Sequence, residues 1–256
     1  MAIHLRQICL VAGELAPVMD DLRAVLGVEG GHIDPGVGKY GLENTLLTIG
    51  TQFLEVVAPV QDGTAAGRYI DRRGGDGGYM VICQCESLEE QTALRARAKA
   101  AGVREAHVSD RGDWNIMQLH PGDLKAAFLE ADWDTECDVT GRWMPAGGTG
   151  WQDEPKGAAL AMTAAELQSD DPAGLAALWG RVLGVAVSEG DVPEVRLANF
   201  TLRFVPPGDD RGPGLSALDV VVEDPARGIA MAARRGLPVS GSDVVVCGTT
   251  LRLIPA

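Results

Sequence analysis

The stretch Thr51-Gln-Phe-Leu-Glu-Val-Val-Ala-Pro59 is a predicted β-strand that carries one carboxylate, Glu55, among apolar neighbours. The pattern of a Leu followed by one charged residue inside a largely apolar run occurs three more times. These copies are Phe128-Leu-Glu-Ala-Asp132, Thr201-Leu-Arg-Phe-Val-Pro206 and Thr250-Leu-Arg-Leu-Ile-Pro255. A charge at one position of a recurring strand indicates four related units and marks where chemistry should be sought.

Each of these strands closes a unit that begins with another strand and a helix. The spacing in the first unit predicts a strand over 5–12, a helix over 14–26 and strands over 45–49 and 53–58. The same order begins again near residues 79, 159 and 216. Two helix ends, Arg23-Ala-Val-Leu-Gly-Val28 and Gly180-Arg-Val-Leu-Gly-Val185, are nearly the same sequence, which supports internal duplication.

Stretches rich in glycine and proline separate the units. Residues 29–43 suit a loop or a short edge strand, and residues 61–78, with six glycines, are typical of a mobile connector. A further stretch over 136–157 is the predicted linker between two halves. The predicted domains are therefore 1–135, with units 1–60 and 79–132, and 158–256.

Composition excludes several classes of function. The chain has 256 residues, 46% of them hydrophobic, and a formal net charge of −14. Such acidity argues against binding to nucleic acid and to anionic membrane surfaces, because both require a basic face. No apolar run is long enough to span a membrane. We expect a cytoplasmic protein with five reduced cysteines and a small molecule as its partner.

Paired β-α-β-β-β units with a helix ending in Leu-Gly and a strand carrying Leu-Glu resemble the vicinal oxygen chelate superfamily. That superfamily includes glyoxalase I, methylmalonyl-CoA epimerase, extradiol dioxygenases and bleomycin-resistance proteins. The segments Gly31-His-Ile, Gly41-Leu-Glu-Asn44 and Phe53-Leu-Glu-Val are similar to its glyoxalase-like domain branch. The resemblance implies an α+β fold, in which tandem βαβββ units form two cupped mixed sheets with helices packed outside.

The resemblance also implies where a metal ion would bind, because units of this superfamily offer ligands from their first and last strands. The matching positions are Gln7 and Glu55 in the first unit, and Met80 and Glu130 in the second. The Gln and the two Glu side chains are oxygen donors suited to a divalent metal ion such as magnesium or manganese. Met80 departs from the pattern. The two histidines and one carboxylate of the superfamily's oxygenases are not present here.

Physical reasoning also identifies Glu55 and Glu130 as candidate functional residues. If the first two units pair, both carboxylates face one partly dry cavity, where they repel each other and are poorly solvated. Three outcomes stay open at this point. A cation neutralises them, or one holds a proton in a metal-free polar pocket, or both end in solvent or in ion pairs. The first two would provide a Lewis acid or a general base beside a carbonyl.

Other polar residues complete the candidate set. His32, Asn44 and His120 are predicted substrate-binding residues, although a lone histidine in a loop or at a strand end is also typical of a turn. The second half has Arg203 and Arg252 at the positions of the two glutamates. Two arginines would clamp an anionic substrate, or they would pair with local acids in a purely structural copy.

These patterns favour an enzyme: a glyoxalase-like, divalent-metal-assisted lyase or isomerase that acts next to a carbonyl of a small molecule. Glu130 or Glu55 would be the catalytic base, and Gln7, Glu55 and Glu130 would hold the metal ion. The alternative is a small-molecule-binding protein of the resistance type, which sequesters a compound without turnover. A third interpretation is a structural protein with a vestigial site. A monomer and a homodimer are both compatible with two paired halves.

Overall fold

A computed structural model describes residues 2–188 and 190–256, and its elements follow the fourfold repeat of the sequence. The helices are α1 Leu15–Leu26, α2 Ala65–Arg73, α3 Leu88–Ala100, α4 Pro121–Leu124, α5 Pro172–Leu183 and α6 Pro225–Arg234. The strands are β1 Ile3–Val11, β2 Leu42–Ile49, β3 Gln52–Pro59, β4 Gly77–Cys85, β5 Glu105–Asp110, β6 Trp114–Leu119, β7 Phe128–Asp134, β8 Ala159–Gln168, β9 Val187–Ser188, β10 Glu194–Arg196, β11 Thr201–Val205, β12 Gly214–Val222, β13 Val239–Ser240, β14 Asp243–Val246 and β15 Thr249–Pro255.

These strands form two mixed sheets. The first has the order β2-β3-β1-β4-β7-β6-β5, and the second has the order β13-β14-β15-β12-β8-β11-β10-β9. The strand that opens a unit pairs in parallel with the strand that closes it, as in β4–β7, β8–β11 and β12–β15. Hairpin partners such as β2–β3 and β6–β7 are antiparallel. The predicted α+β class, with mixed sheets and helices outside them, is confirmed.

The strands of the first sheet lie within residues 3–134, and those of the second lie within 159–255. Short 3-10 turns at Met144–Ala146 and Gly150–Asp153 occupy the segment between them. The domain division over 136–157 stays a prediction from the sequence.

Two glycine-rich regions contain more structure than their composition indicates. The expected connector over 61–78 contains helix α2, which begins because the Thr64 hydroxyl accepts the N–H of Gly67 at 2.9 Å. In the first unit, residues 29–43 form a 3-10 helix at Pro35–Tyr40 and one isolated bridge, between His32 and Leu46. The high glycine content of this stretch predicted a connector, whereas the capping threonine is the residue that indicates a helix.

The duplicated helix ends have the same local geometry. Gly27 ends α1 with φ at +65°, and Gly184 ends α5 with φ at +73°. Both values lie in the left-handed region, which glycine adopts without steric cost. The two similar sequences at residues 23–28 and 180–185 therefore have the same function, which is to end a helix at a glycine.

The chain forms two compact units that draw on both halves of the sequence. One contains the residues up to Ile8 together with Tyr79–Arg142 and Ala164–Leu215, and we call it the Glu130 unit. The other contains Cys9–Gly78, Trp143–Thr163 and Ser216–Ala256, and we call it the Glu55 unit.

Each unit has an apolar core of its own. In the Glu130 unit, the buried Trp179 side chain packs edge-on against Phe204, and its indole N–H donates to the Leu124 carbonyl at 3.1 Å. In the Glu55 unit, one face of α1 is buried through Val18, Met19, Leu22, Val25 and Leu26.

In the part of the chain that the structure describes, no helix combines the length and the apolar character needed to cross a membrane. The five cysteines are free thiols, and four of them are buried.

Candidate functional site

The closing strand of the Glu130 unit carries three acids at alternate positions. Glu130, Asp132 and Asp134 are only 5%, 1% and 3% exposed. Because side chains alternate along a strand, all three lie on one face of β7, which we call the acidic face. Parallel pairing with β4 places Gln84 opposite Asp132, and antiparallel pairing with β6 places Gln118 opposite Glu130. Strand register thus brings two amides onto a face with three acids.

Glu130 is held by the amide opposite it. The side-chain nitrogen Nε2 of Gln118 donates to Oε2 of Glu130 at 2.5 Å. Hydrogen bonds to a charged acceptor are short and strong, and they restrict the orientation of the carboxylate. Glu130 is therefore a buried acid whose carboxylate group is held in one orientation by Gln118.

Asp132, two residues further along the same strand, is the most deeply buried of the three acids. Its Oδ2 accepts the indole N–H of Trp114 at 3.1 Å, whereas Oδ1 has no hydrogen-bond partner among the described residues. Burial raises the pKa of the Asp132 carboxyl well above its ordinary value, and the nearby Glu130 charge raises it further. Burial therefore favours the protonated, uncharged form of the Asp132 carboxyl.

Arg6 of β1 is the cation on this side of the unit, and its side chain is fully buried. Its Nη1 donates to Oε1 of Gln84 at 2.6 Å and to the carbonyl of Asp138 at 3.2 Å. Its Nη2 donates to the carbonyl of Gly141 at 3.0 Å. Burial lowers the pKa of Arg6 to about 10, opposed by the charges of Asp134 and Asp138, so the guanidinium stays protonated at neutral pH.

Arg6 thereby ties the segment over 134–142 to the sheet. Gln84, which accepts from Arg6, donates through Nε2 to Oδ2 of Asp134 at 3.2 Å. The other oxygen of Asp134 accepts the backbone N–H groups of Glu136 and Cys137 at 2.9 and 3.0 Å. The start of the predicted linker is therefore anchored by a chain of hydrogen bonds.

The predicted first-strand ligand, Gln7, is buried beside Arg6 in β1. Adjacent residues of a strand point to opposite faces, and the hydrogen bond to Gln84 shows that Arg6 is the residue of β1 that reaches the acidic face. Met80 is buried on β4 directly opposite Phe128. Gln7 and Glu130 belong to the Glu130 unit, and Glu55 belongs to the other unit.

Glu55 has an amide partner of its own and is only 6% exposed. The side-chain nitrogen Nδ2 of Asn44, on the neighbouring strand β2, donates to Oε1 of Glu55 at 2.6 Å. The amide oxygen of Asn44 accepts the backbone N–H of Asp34 at 3.1 Å. Asn44, predicted as a substrate-binding residue, thus connects Glu55 to the loop at Asp34.

The two candidate histidines have structural contacts. His32 exchanges backbone hydrogen bonds with Leu46 at 2.9 and 2.8 Å, and its ring lies against Gly147, where an added Cβ would come within 2.6 Å of it. His120 begins helix α4, and its Nδ1 accepts the N–H of Gly122 at 3.1 Å. A substrate-binding role for either histidine stays a prediction.

In the Glu55 unit, part of the predicted linker over 136–157 packs on the face of the sheet that carries Glu55. Phe53 lies two residues before Glu55 and therefore on the same face of β3. The Phe53 ring meets Trp151 edge-on, with ring centroids 5.3 Å apart. Thr48 donates its hydroxyl to Glu154 at 3.2 Å. An aromatic wall therefore borders this face.

The two arginines of the second half have acidic partners. Nε of Arg203 lies 3.4 Å from Glu166, which is directly opposite it on β8. Nη1 of Arg252 lies 3.4 Å from Asp219, directly opposite it on β12. These contacts agree with the interpretation that local acids neutralise the arginines.

The sequence analysis missed Arg6, Gln84, Gln118 and Asp132 as parts of a site. The alternation Glu130-Ala-Asp132-Trp-Asp134 is a visible signal, because acids at every second position of a strand share a face. The roles of Arg6 and the amides had no comparable local signal.

The described residues do not form a cation site, although the donor atoms at the predicted positions are of a type that divalent cations bind. Gln7, Glu55 and Glu130 offer oxygen atoms, and each glutamate accepts a hydrogen bond from an amide, as metal-ligating carboxylates do. Across residues 2–188 and 190–256, no three side chains of His, Cys, Asp or Glu are grouped so as to hold a metal ion. The predicted metal site with Gln7, Glu55 and Glu130 as ligands therefore stays a prediction.

Comparison with known proteins gives matches in structure alone. No protein-family model and no curated protein matches the sequence. A hypothetical protein from Staphylococcus aureus is 13% identical, with 100% of both chains covered and a TM-score of 0.65. A mutant of 4-hydroxymandelate synthase from Streptomyces coelicolor is 17% identical, with 93% of this chain and 76% of that chain covered and a TM-score of 0.65.

A methylmalonyl-CoA epimerase in complex with methylmalonyl-CoA and ammonium is also similar. It is 20% identical over 54% of this chain and 99% of its own, with a TM-score of 0.45. The chain has the glyoxalase-like fold of the vicinal oxygen chelate superfamily, and the predicted resemblance is confirmed at that level. Its assignment to the glyoxalase-like domain branch stays a prediction.

Proposed function

We propose that the protein is a glyoxalase-like lyase or isomerase that moves a proton next to a carbonyl group of a small molecule, with Glu130 as the general base. One observation carries this proposal: Glu130 is a buried carboxylate that Gln118 orients at 2.5 Å. The Gln118 amide is a neutral donor, so this particular contact adds no positive charge beside the carboxylate. A carboxylate held in this way suits proton transfer.

The chemistry follows from the two oxygens of Glu130. Oε2 accepts the Gln118 N–H, and the Glu130 carboxylate takes the proton from the carbon beside the substrate carbonyl. The C–H bond breaks and its electron pair moves to the carbonyl oxygen, which leaves an enolate. Return of the proton to that carbon from a new direction completes an isomerisation, and loss of a group from the next carbon completes an elimination.

A divalent cation would assist this reaction. The predicted donors are Gln7, Glu55 and Glu130, and a bound cation would act as a Lewis acid that stabilises the enolate charge. Glu55 is the second candidate base, since Asn44 orients it as Gln118 orients Glu130.

A second candidate function is a binding protein that sequesters a small molecule without turnover. The edge-on contact between Phe53 and Trp151 favours it, because it places two buried aromatic rings on the Glu55 face, the kind of apolar surroundings that a sequestering pocket uses. This candidate requires tight ligand binding with no exchange of substrate protons.

Two measurements test the proposal. Protein purified without chelator is analysed for bound metals and then titrated with Mg²⁺ and Mn²⁺. The metal-loaded protein is incubated in D₂O with 2-oxo acids, α-hydroxy ketones and acyl thioesters, and proton NMR follows exchange beside the carbonyl. We expect metal binding and catalysed exchange of at least one class. Absence of metal affinity together with absence of exchange would reject the proposal.

A further inference from the structure

We infer that residues 135–154, most of the predicted linker, form a lid over the faces that carry Glu130 and Glu55, and that this lid opens to admit a substrate. The inference rests on the proposed function and extends it to the way in which a substrate reaches the base. Glu130 and Glu55 are only 5% and 6% exposed, so almost none of either side chain is accessible from solvent. A base that acts on a substrate has to be uncovered first, and many enzymes use a mobile loop for this purpose.

In the Glu130 unit, the first part of the lid, residues 135–142, is fastened to the acidic face. Nη1 and Nη2 of Arg6 donate to the backbone carbonyls of Asp138 and Gly141 at 3.2 and 3.0 Å. Oδ1 of Asp134 accepts two backbone N–H groups near the start of the lid, at 2.9 and 3.0 Å. The first part of the lid therefore lies along one end of the acidic face, and its release would expose that end to solvent.

In the Glu55 unit, the second part of the lid, residues 143–154, packs on the face of β3 that carries the glutamate. Trp151 is only 7% exposed, and its ring meets Phe53 edge-on with centroids 5.3 Å apart. Thr48, directly opposite Phe53 on β2, donates its hydroxyl to Glu154 at 3.2 Å. Both contacts are made by side chains, so they can break while the backbone pairing of the sheet stays intact.

The lid also contacts a residue beside Glu55. Gly147 lies so close to the His32 ring that an added Cβ would come within 2.6 Å of it. The backbone of His32 exchanges hydrogen bonds with Leu46, which stands directly opposite Glu55 on β2. Leu46 is therefore on the face that the lid covers, whereas the next residue, Leu47, points to the other face.

The lid has hydrogen bonds of its own. The backbone N–H groups of Trp143 and Gly148 donate to each other's carbonyls at 2.9 Å, and Met144–Ala146 and Gly150–Asp153 form 3-10 turns. Bonds inside a surface loop move with the loop, so opening leaves them intact and breaks the contacts with the sheet. Such a segment opens at a lower cost in free energy than unfolding of the whole unit.

Two matched thiol probes test the lid. Leu46→Cys places a thiol on the covered face and Leu47→Cys places one on the opposite face, and the two leucines are only 1% and 0% exposed. Both are made together with Cys137→Ser, which removes the exposed cysteine. Labelling with iodoacetamide, followed by mass spectrometry, should be at least about 10-fold faster at position 46 than at position 47, because local opening is more frequent than global unfolding.

A second pair of variants links this labelling to the lid. Gly147→Ala brings a methyl group against the His32 ring and should push the lid away from it. Gly148→Ala is the matched control, because its φ of +85° is close to the +79° of Gly147 and no described atom lies within 4 Å of an added Cβ. Both variants strain the backbone, so they differ in the contact with His32. Labelling at position 46 should be about 10-fold faster in Gly147→Ala than in Gly148→Ala, and labelling at position 47 should not differ.

Equal labelling at positions 46 and 47 would reject the lid, since global unfolding alone would then expose both thiols. Equal labelling at position 46 in Gly147→Ala and Gly148→Ala would reject it as well. Thermal unfolding shows whether each variant is folded. Should Leu46→Cys fail to fold, Thr48→Cys takes its place, because the Thr48 hydroxyl contacts the lid.

The outcomes separate the lid from the proposed function, because the labelling needs no substrate. If position 46 opens locally but no substrate class exchanges protons in D₂O, the proposed function is rejected and the lid stands as a cover of the two faces. Catalysed exchange without local opening rejects the lid and leaves the proposed function.

Discussion

The two halves of the chain use the same strand position in opposite ways. In the first half the position carries Glu55 and Glu130, whose partners include the amides of Asn44 and Gln118. In the second half it carries Arg203 and Arg252, which lie 3.4 Å from acids on the neighbouring opening strands.

This difference separates a face suited to chemistry from one suited to stability. An arginine beside an acid is neutralised within the fold, so little charge is left to act on a ligand. A hydrogen bond from an amide brings no positive charge to a buried glutamate, so the amide compensates less for the burial of a carboxylate than an ion pair would. The duplicated fold therefore permits the two halves to use one strand position for side chains of opposite charge.

The largest expected effect is the loss of catalysis in Glu130→Gln. This substitution keeps the size of the side chain but removes the base, so proton exchange in D₂O should fall about 100-fold or more. Arg203→Met, at the matching strand position of the second half, should leave the exchange rate unchanged. Equal rates in the wild type and Glu130→Gln would contradict the assignment of the base.

A large effect on stability is expected for Arg6→Met. The substitution leaves the oxygens of Gln84, Asp138 and Gly141 without the donor that Arg6 supplies. Loss of one partner from a buried polar network should lower the free energy of unfolding by about 3 kcal/mol, measured by urea denaturation. A loss below about 1 kcal/mol would mean that Arg6 does not anchor the segment over 134–142.

Arg252→Met should reduce stability less than Arg6→Met does. The two variants compare a buried arginine of the first half with a partly exposed arginine of the second half. The Arg252 side chain is 30% exposed, and its contacts with Asp219 and Asp243 are 3.4 and 3.7 Å long. Partly exposed ion pairs are screened by water, so the free energy of unfolding should fall by less than about 1 kcal/mol. The same urea denaturation measures both arginine variants, and a larger loss here than in Arg6→Met would reverse their order.

The smallest effect concerns an exposed acid of the first half, Glu86. Its carboxylate lies 2.8 Å from Nε2 of His4, and this hydrogen bond lowers the pKa of Glu86 below its ordinary value. A lowered folded-state pKa stabilises the protein above the ordinary pKa of glutamate, and the stabilisation is lost as the pH falls through the folded-state pKa. The wild type should therefore exceed Glu86→Gln slightly in thermal stability at pH 7.

The thermal-stability difference between these two proteins should vanish in acid, where Glu86 is protonated. A difference that persists at a pH below the folded-state pKa would show that packing, and not charge, is responsible. Water screens the exposed Glu86 carboxylate more than it screens a buried one such as Glu130. We therefore expect the Glu86 substitution to have the smallest effect on stability.

Much of the fold could be predicted from local patterns. The helix stops at Gly27 and Gly184 and the recurring Leu–charge strands are set by neighbouring residues, so they were visible without coordinates. Helix α2 was missed because the capping hydroxyl of Thr64 stands among glycines. Among the candidate residues, the two glutamates and Asn44 were predicted from the sequence, whereas Gln118 and Arg6 were not.

The sequence by itself determined the four related units, their helices and strands, and the positions that carry charge, because periodicity and turn residues act over a few neighbours. The tertiary structure decided that Gln118 meets Glu130, that Asn44 meets Glu55 and that Arg6 reaches the acidic face. Such contacts depend on strand order and register, and a shift of one residue would turn every side chain to the other face.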